Sequence, residues 1–196
     1  MAEPTAVTRI LNFWFGEPGS PEHGKQRKFW FEPSDEIDAA IRGQFEMDWR
    51  VATTGSWDHF AATPRGALAL VILFDQFPRN MFRGTRQAFS SDRNGLNIAR
   101  KAVDSGADSE LSELEKLFLY LPFEHAEDLA MQDRSVELFA TLSDPQYLDY
   151  AERHRAIIAR FGRFPYRNEV MRRDTTPEEQ AWLDDPDAET FGQKAK

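Results

Sequence analysis

The segment PRGALALVILFDQFPRN, residues 64–80, decides how the chain is read. Pro64 suits the first position of a helix, where its missing N–H costs nothing. The run ALALVILF has no polar face, which predicts a helix buried on most sides. It is far too short to span a bilayer. Pro78 predicts the end of that helix. The residue before a proline is pushed out of the helical region, so Phe77 should mark the terminus and turn its ring into the core.

The arrangement returns at residues 162–168, GRFPYRN, where Phe-Pro is again joined to Arg-Asn after an apolar stretch. Phe164 is expected to end a second helix. The two turns are expected to lie close in space.

The flanking sequence reads as helix almost throughout. Val7, Ile10, Leu11 and Trp14 are helically spaced over residues 5–15. GEPGSPEHGK, residues 16–25, is a surface loop. Ser34 is an N-cap before a helix through Ile37, Ile41, Phe45 and Trp49, with Asp35 and Glu36 at its positive end and Gly55 able to close it. RQAFSSD, residues 86–92, could hold a short extended piece. SSDRNGLNIARKAVDSG gives a capped helix ended by Gly106, and SELEKLFLYL another halted at Pro122. Residues 124–142 and 146–162 follow as helices, and TTPEEQAWL ends the series with a capping box of Thr176 and Glu179. The expected fold is all-α: one domain over residues 1–196, a helical bundle or short solenoid of about eight helices, with a frayed tail over 186–196.

Composition narrows the function classes. Of 196 residues, 41% are apolar and 29% charged, as in a globular protein able to bury a core. Cys is absent, which removes disulfides, thiolate metal sites and cysteine nucleophiles and suits a cytoplasmic location. The N-terminus lacks the pattern of a signal peptide. A net charge of −9 repels nucleic acid and anionic membranes, while leaving room for a local basic pocket.

Chemistry-bearing residues gather at three places. Arg79, Asn80 and Arg83 follow the first Phe-Pro pair, and Arg163, Arg167 and Asn168 surround the second. A guanidinium there can cap helix carbonyls, pair with a carboxylate or bind an anion. Between them, LPFEHAEDLAMQDR (residues 121–134) sets Glu124, His125, Glu127 and Asp128 in one turn. On a helix, Glu124 and Asp128 would share a face and supply partners for those arginines. His154 falls within an apolar stripe and reads as a hydrogen-bonded core histidine. No metal motif, nucleophile elbow or phosphate-binding glycine loop is present, so neither a metal nor a cofactor is expected.

The stretches LFDQFPRNMFRGTRQAFSSD, LPFEHAEDLAMQDRSVELF and HRAIIARFGRFPYRN, with TTPEE after them, resemble in this order the bacterial domain-of-unknown-function 924 family. The resemblance covers nearly the whole chain. It implies an all-helical fold similar to tetratricopeptide-repeat proteins and brings no established activity. The family commonly has Ser where this chain has Ala126 and His where it has Tyr166. A mechanism using that hydroxyl or imidazole would be absent here. Three readings of function follow. The first is a protein binding a small anionic metabolite in a pocket lined by Arg79, Asn80, Arg83, Glu124, His125, Asp128, Arg163, Arg167 and Asn168. The second is a scaffold holding a peptide in a groove. The third is an enzyme with His125 as general base. Within the first reading, Arg79 or Arg167 is expected to be the cation left over for the ligand.

Overall fold

The structure is a computed structural model and describes residues 5–30 and 32–191. These residues are helical and turn structure without a strand. They divide into two units, one of Met1–Arg83 with Gln87–Pro122 and the other of Gly84–Arg86 with Phe123–Lys196.

In the N-terminal unit, α1 (Thr5–Phe15) buries Val7, Ile10, Leu11, Trp14 and Phe15. Its Trp14 ring stands edge-on to Phe77 and Phe118, at centroid distances of 5.7 and 5.4 Å. The indole of Trp30 donates to the Trp14 carbonyl at 3.1 Å, so its buried N–H is satisfied. Helix α2 (Asp35–Ala52) starts at Ser34, whose hydroxyl accepts from the Ile37 N–H. Thr63 caps α3 (Pro64–Val71) in the same way. Gly66 lets the first turn of α3 approach the Phe60 carbonyl, which any Cβ there would strike.

The helix begun at Pro64 does not stop where Pro78 predicts. It passes through a π-turn, Ile72–Gln76, and continues as α4, Phe77–Met81. Phe77 keeps helical dihedrals (φ −58°, ψ −39°), against the preference of a residue before proline. Its N–H bonds the Ile72 carbonyl five residues back. Pro78 has no N–H for the Phe74 carbonyl, and its ring would crowd that oxygen. The Ser91 hydroxyl takes over, donating to Phe74 O at 2.7 Å while it accepts the Trp49 indole N–H at 2.9 Å. The loss is repaired from outside the helix, so the helix survives. Ser91 precedes α5, Asp92–Asp104. Two further expectations are corrected. Residues Arg86–Phe89 form a 3-10 turn rather than an extended piece, and α6 (Glu113–Glu124) runs through Pro122 instead of halting there.

In the C-terminal unit, α7 (Leu129–Phe139) packs on α8 (Pro145–Phe161). The expected helix over 124–142 begins only at Leu129. Asp128 is extended (φ −150°, ψ 121°) and its carboxylate accepts from the Met131 N–H, so it caps the helix and cannot share a helical face with Glu124. Gly162 closes α8 with a left-handed φ of 69°. Phe164 is then extended before Pro165, as expected. Phe164 and Tyr166 join Ile157 and Ile158 in a core completed by Phe161, Trp182, Leu183 and Phe191. Short α9 (Asn168–Met171) follows, and the Thr176–Glu179 capping box opens α10, Pro177–Leu183.

Ser91→Ala should strip the partner from two buried groups at once, the Phe74 carbonyl and the Trp49 N–H. At about 1–3 kcal/mol for each orphaned group, urea unfolding should show a loss of about 2–6 kcal/mol. A loss below about 0.5 kcal/mol would show that this hydroxyl is not what sustains the helix through Pro78.

Candidate functional site

At the first Phe-Pro turn the arginines are matched to acids of their own unit. Arg79 forms a fork with Asp92 (2.9 and 3.1 Å) and lies 3.4 Å from the fully buried Asp75 carboxylate. Its Nη1 also donates to the Asp75 carbonyl at 2.5 Å. Arg83 grips Asp38 through Nε (2.7 Å) and Nη2 (2.9 Å), and Asn80 donates to the same carboxylate at 2.8 Å. These three residues bind α4 to the first turn of α2 and the start of α5.

The second turn is held by a larger network. Arg163 forms a fork with Glu179 at 2.6 and 2.8 Å, which holds that carboxyl near 2. The Asn168 amide donates to Glu179 and to Thr175 at 3.2 and 3.3 Å. Glu127 accepts the Phe164 N–H (2.9 Å) and two bonds from Arg173 (2.6 and 3.0 Å). Burial works to raise Glu127, but the Arg173 and Phe164 donors outweigh it and hold the carboxyl below its usual range. Arg173 returns a bond to the Phe164 carbonyl at 3.1 Å, so one ion pair fixes both sides of the extended residue before Pro165. Sequence reasoning missed Arg173. No local pattern marked it: Arg172 takes a left-handed φ of 55° just before it, and Arg173 bonds back to Phe164 and Glu127.

Behind this network lies a buried polar group that the sequence named in part. Glu124 (5% exposed), His154 (5%) and Arg167 (4%) come from α6, α8 and the 3-10 turn Pro165–Arg167. Half-buried His125 joins them, its ring 6.5 Å from that of His154 and its carbonyl accepting from Arg167 at 3.1 Å. The Arg167 guanidinium lies 4.4 Å from the Phe164 ring. His154 Nδ1 is 2.8 Å from the Tyr150 carbonyl and 3.3 Å from Glu124 Oε1. Two acceptors flank that nitrogen, so it carries the ring proton and Nε2 is the acceptor. Burial above all, with smaller contributions from neighbouring His125 and the Arg167 guanidinium, pushes His154 down to about 3 against the opposing Tyr150 bond. The imidazole is therefore neutral at pH 7, and its 3.3 Å approach to Glu124 is not an ion pair. On α7, Gln132 clamps the carbonyls of Glu124 (2.7 Å) and Ala126 (2.8 Å) through its amide nitrogen. Gln132 Oε1 and Ser135 Oγ are both buried without a hydrogen bond, which is costly away from water.

The chain also carries one local basic surface that sequence reasoning left unplaced. A depression of about 380 Å³ is lined by Lys25, Arg27 and Lys28 with Glu22 and Phe29. The run KQRK was its signal. A second depression, about 280 Å³, is lined by Tyr166, Asn168 and Thr175 with the acids Glu169 and Asp184. Among the described residues no group of three or more His, Asp or Glu is placed to hold a metal ion, and no helix is long and apolar enough to cross a membrane.

The neutral state of His154 sets a pH dependence. Its folded value lies below the unfolded 6.5, so between the two only the unfolded chain holds the proton. Stability should fall as pH drops below about 6.5, by up to about 1.4 kcal/mol per unit from this group. Glu127 and Glu179 add to the loss only below their unfolded 4.5. Urea unfolding between pH 7.5 and 5 should show this slope, and His154→Gln should flatten it. An equal slope in the variant would assign the effect elsewhere.

Comparison with known proteins agrees with the helical architecture. A solved structure described as a protein of unknown function from Agrobacterium tumefaciens is similar to this chain, with 38% identity and a TM-score of 0.81. The match covers 91% of this chain and 96% of that one. No curated protein matches. A family described as bacterial protein of unknown function, DUF924, matches residues 10–187. Over nearly its whole length, then, this chain belongs to the bacterial DUF924 family.

Proposed function

We propose that the protein binds a small anionic ligand, carboxylate or phosphate, in its C-terminal unit beside His125 and Arg167. The observation that carries this reading is the gathering of His125 and Arg167 at buried His154, with the His125 ring 6.5 Å from that of His154, the Arg167 guanidinium bonded to the His125 carbonyl at 3.1 Å, and half-buried His125 as the approach from solvent. A planar guanidinium gives an anion two parallel donors, and low local dielectric strengthens the bond. Glu124 and His154 then orient the cluster rather than bind the ligand. Arg79, Asn80 and Arg83 leave the proposed site, because Asp38, Asp75 and Asp92 already neutralise them. Arg163 and Asn168 leave it through Glu179, and Asp128 through its capping role.

A melting-temperature screen against inorganic phosphate, di- and tricarboxylates and sugar phosphates tests the proposal. At a hundredfold excess over the dissociation constant, binding should add about 2.7 kcal/mol of stability. The shift should vanish in His125→Gln and in Arg167→Met and weaken in Arg167→Lys, which keeps charge but loses the fork. It should persist in the Lys25→Gln/Lys28→Gln double variant. Absence of any shift in the unaltered protein, or loss confined to the lysine variant, would remove the site from the C-terminal unit.

A further inference from the structure

We propose that the segment from Ala188 to Phe191 is a latch, closed by the Phe191 ring on the neutral His154 imidazole and released when that imidazole takes a proton. The ring lies flat on His154, with centroids 3.6 Å apart and planes 12° from parallel. Tyr150 and Tyr166 flank it at 6.2 and 6.3 Å, so Phe191 sits in an aromatic-walled seat. Thr190 is buried beside it. The backbone bears a cost for this seat. Phe191 has φ of 50°, a left-handed value that a bulky side chain rarely adopts and that persists only under constraint from its surroundings.

Phe191 also packs on the core of Ile157, Ile158, Phe164 and Tyr166, and the segment's remaining polar ties are local or exposed. Ala188 and Asp187 bond back to Asp185, and the Phe191 N–H bonds the Glu189 side chain at 3.1 Å. The Arg153–Glu189 pair is solvent-exposed on both sides and contributes little. The stack on His154 is therefore the contact through which the segment's position can be controlled.

The groups facing His154 fix the direction of control. They are Glu124 from α6, His125 from the loop after it, Tyr150 from its own helix, and Arg167 from the turn after α8. An imidazolium closed under Phe191 would lie near the Arg167 guanidinium and away from water. Glu124 and the Phe191 ring face would favour it, yet burial, with His125 and Arg167 acting in the same direction, outweighs them. Undocking Phe191 lets water reach the ring and restores its basicity. By linkage, acid then favours the open segment, with an open-to-closed ratio that rises up to about tenfold per pH unit below 6.5.

Two measurements without any ligand test this, so their failure is distinct from failure of the anion site. In the first, the His154 ring-proton resonance is titrated in the unaltered protein and in Phe191→Ala. The latch requires His154 to titrate at higher pH in the variant, by a unit or more. An unchanged titration would overturn it. In the second, hydrogen exchange of the peptide spanning residues 185–191, corrected for the intrinsic chemical rate, is followed from pH 7 to 5. Protection should fall several-fold in the unaltered protein. It should stay flat in His154→Gln where that variant folds. Constant or rising protection in the unaltered protein would also overturn the proposal.

Discussion

The Phe74 carbonyl is the point on which the N-terminal unit turns. Pro78 denies it a backbone donor, and an unpaired carbonyl in a dry core would break the longest apolar helix of the chain. The Ser91 hydroxyl supplies the donor and, as an acceptor, also receives the Trp49 indole. One oxygen thus joins the π-turn, α2 and the start of α5. The helix can then continue as α4 and carry Arg79, Asn80 and Arg83 to the acids of its neighbours.

The C-terminal unit solves the matching problem at Pro165 in the opposite way. There the chain does leave the helix, and Phe164 is stretched between Glu127 and Arg173. Two Phe-Pro-containing turns with similar letters therefore have different backbones. The difference lies in what each neighbourhood offers, a hydroxyl in one case and an ion pair in the other. The charge patterns differ as well. Arginines of the first turn end on carboxylates, while in the second unit Arg167 lies inside the core against Phe164 and close to a neutral imidazole.

Much of this was legible in the sequence, and the limits have physical causes. The caps at Ser34 and Thr176 and the opening of a helix at Pro64 depend on a few adjacent residues, and the all-helical pattern follows from spacing. Gly162 and Phe164 behave as single-residue conformational preferences require. Phe77 and Pro122 do not. At Phe77 the decisive partner is Ser91, remote in sequence and invisible to a rule about neighbours. Placing Glu124 to Asp128 on one helix failed because Asp128 serves better as a cap than as a helical residue. Of the site, Glu124, His125 and Arg167 were named in advance, whereas Arg173 and the seat of Phe191 on His154 depend on tertiary return of the chain.

The π-turn has a consequence for how this helix could change over time. A π-turn is an α-helix holding one surplus residue, and each residue of an α-helix turns the chain by about 100° and advances it about 1.5 Å. Deleting the surplus residue would leave a regular helix with the same phase, whereas straightening the turn with that residue kept would rotate everything beyond it by roughly a third of a revolution. Arg79 and Arg83 would then swing away from Asp92 and Asp38, and a different face of α4 would meet α2. The turn works as a phase shifter that sets which side chains of one helix meet the rest of the unit. With the chain at its present length, the π geometry of this turn is therefore what keeps Arg79 and Arg83 facing their acids.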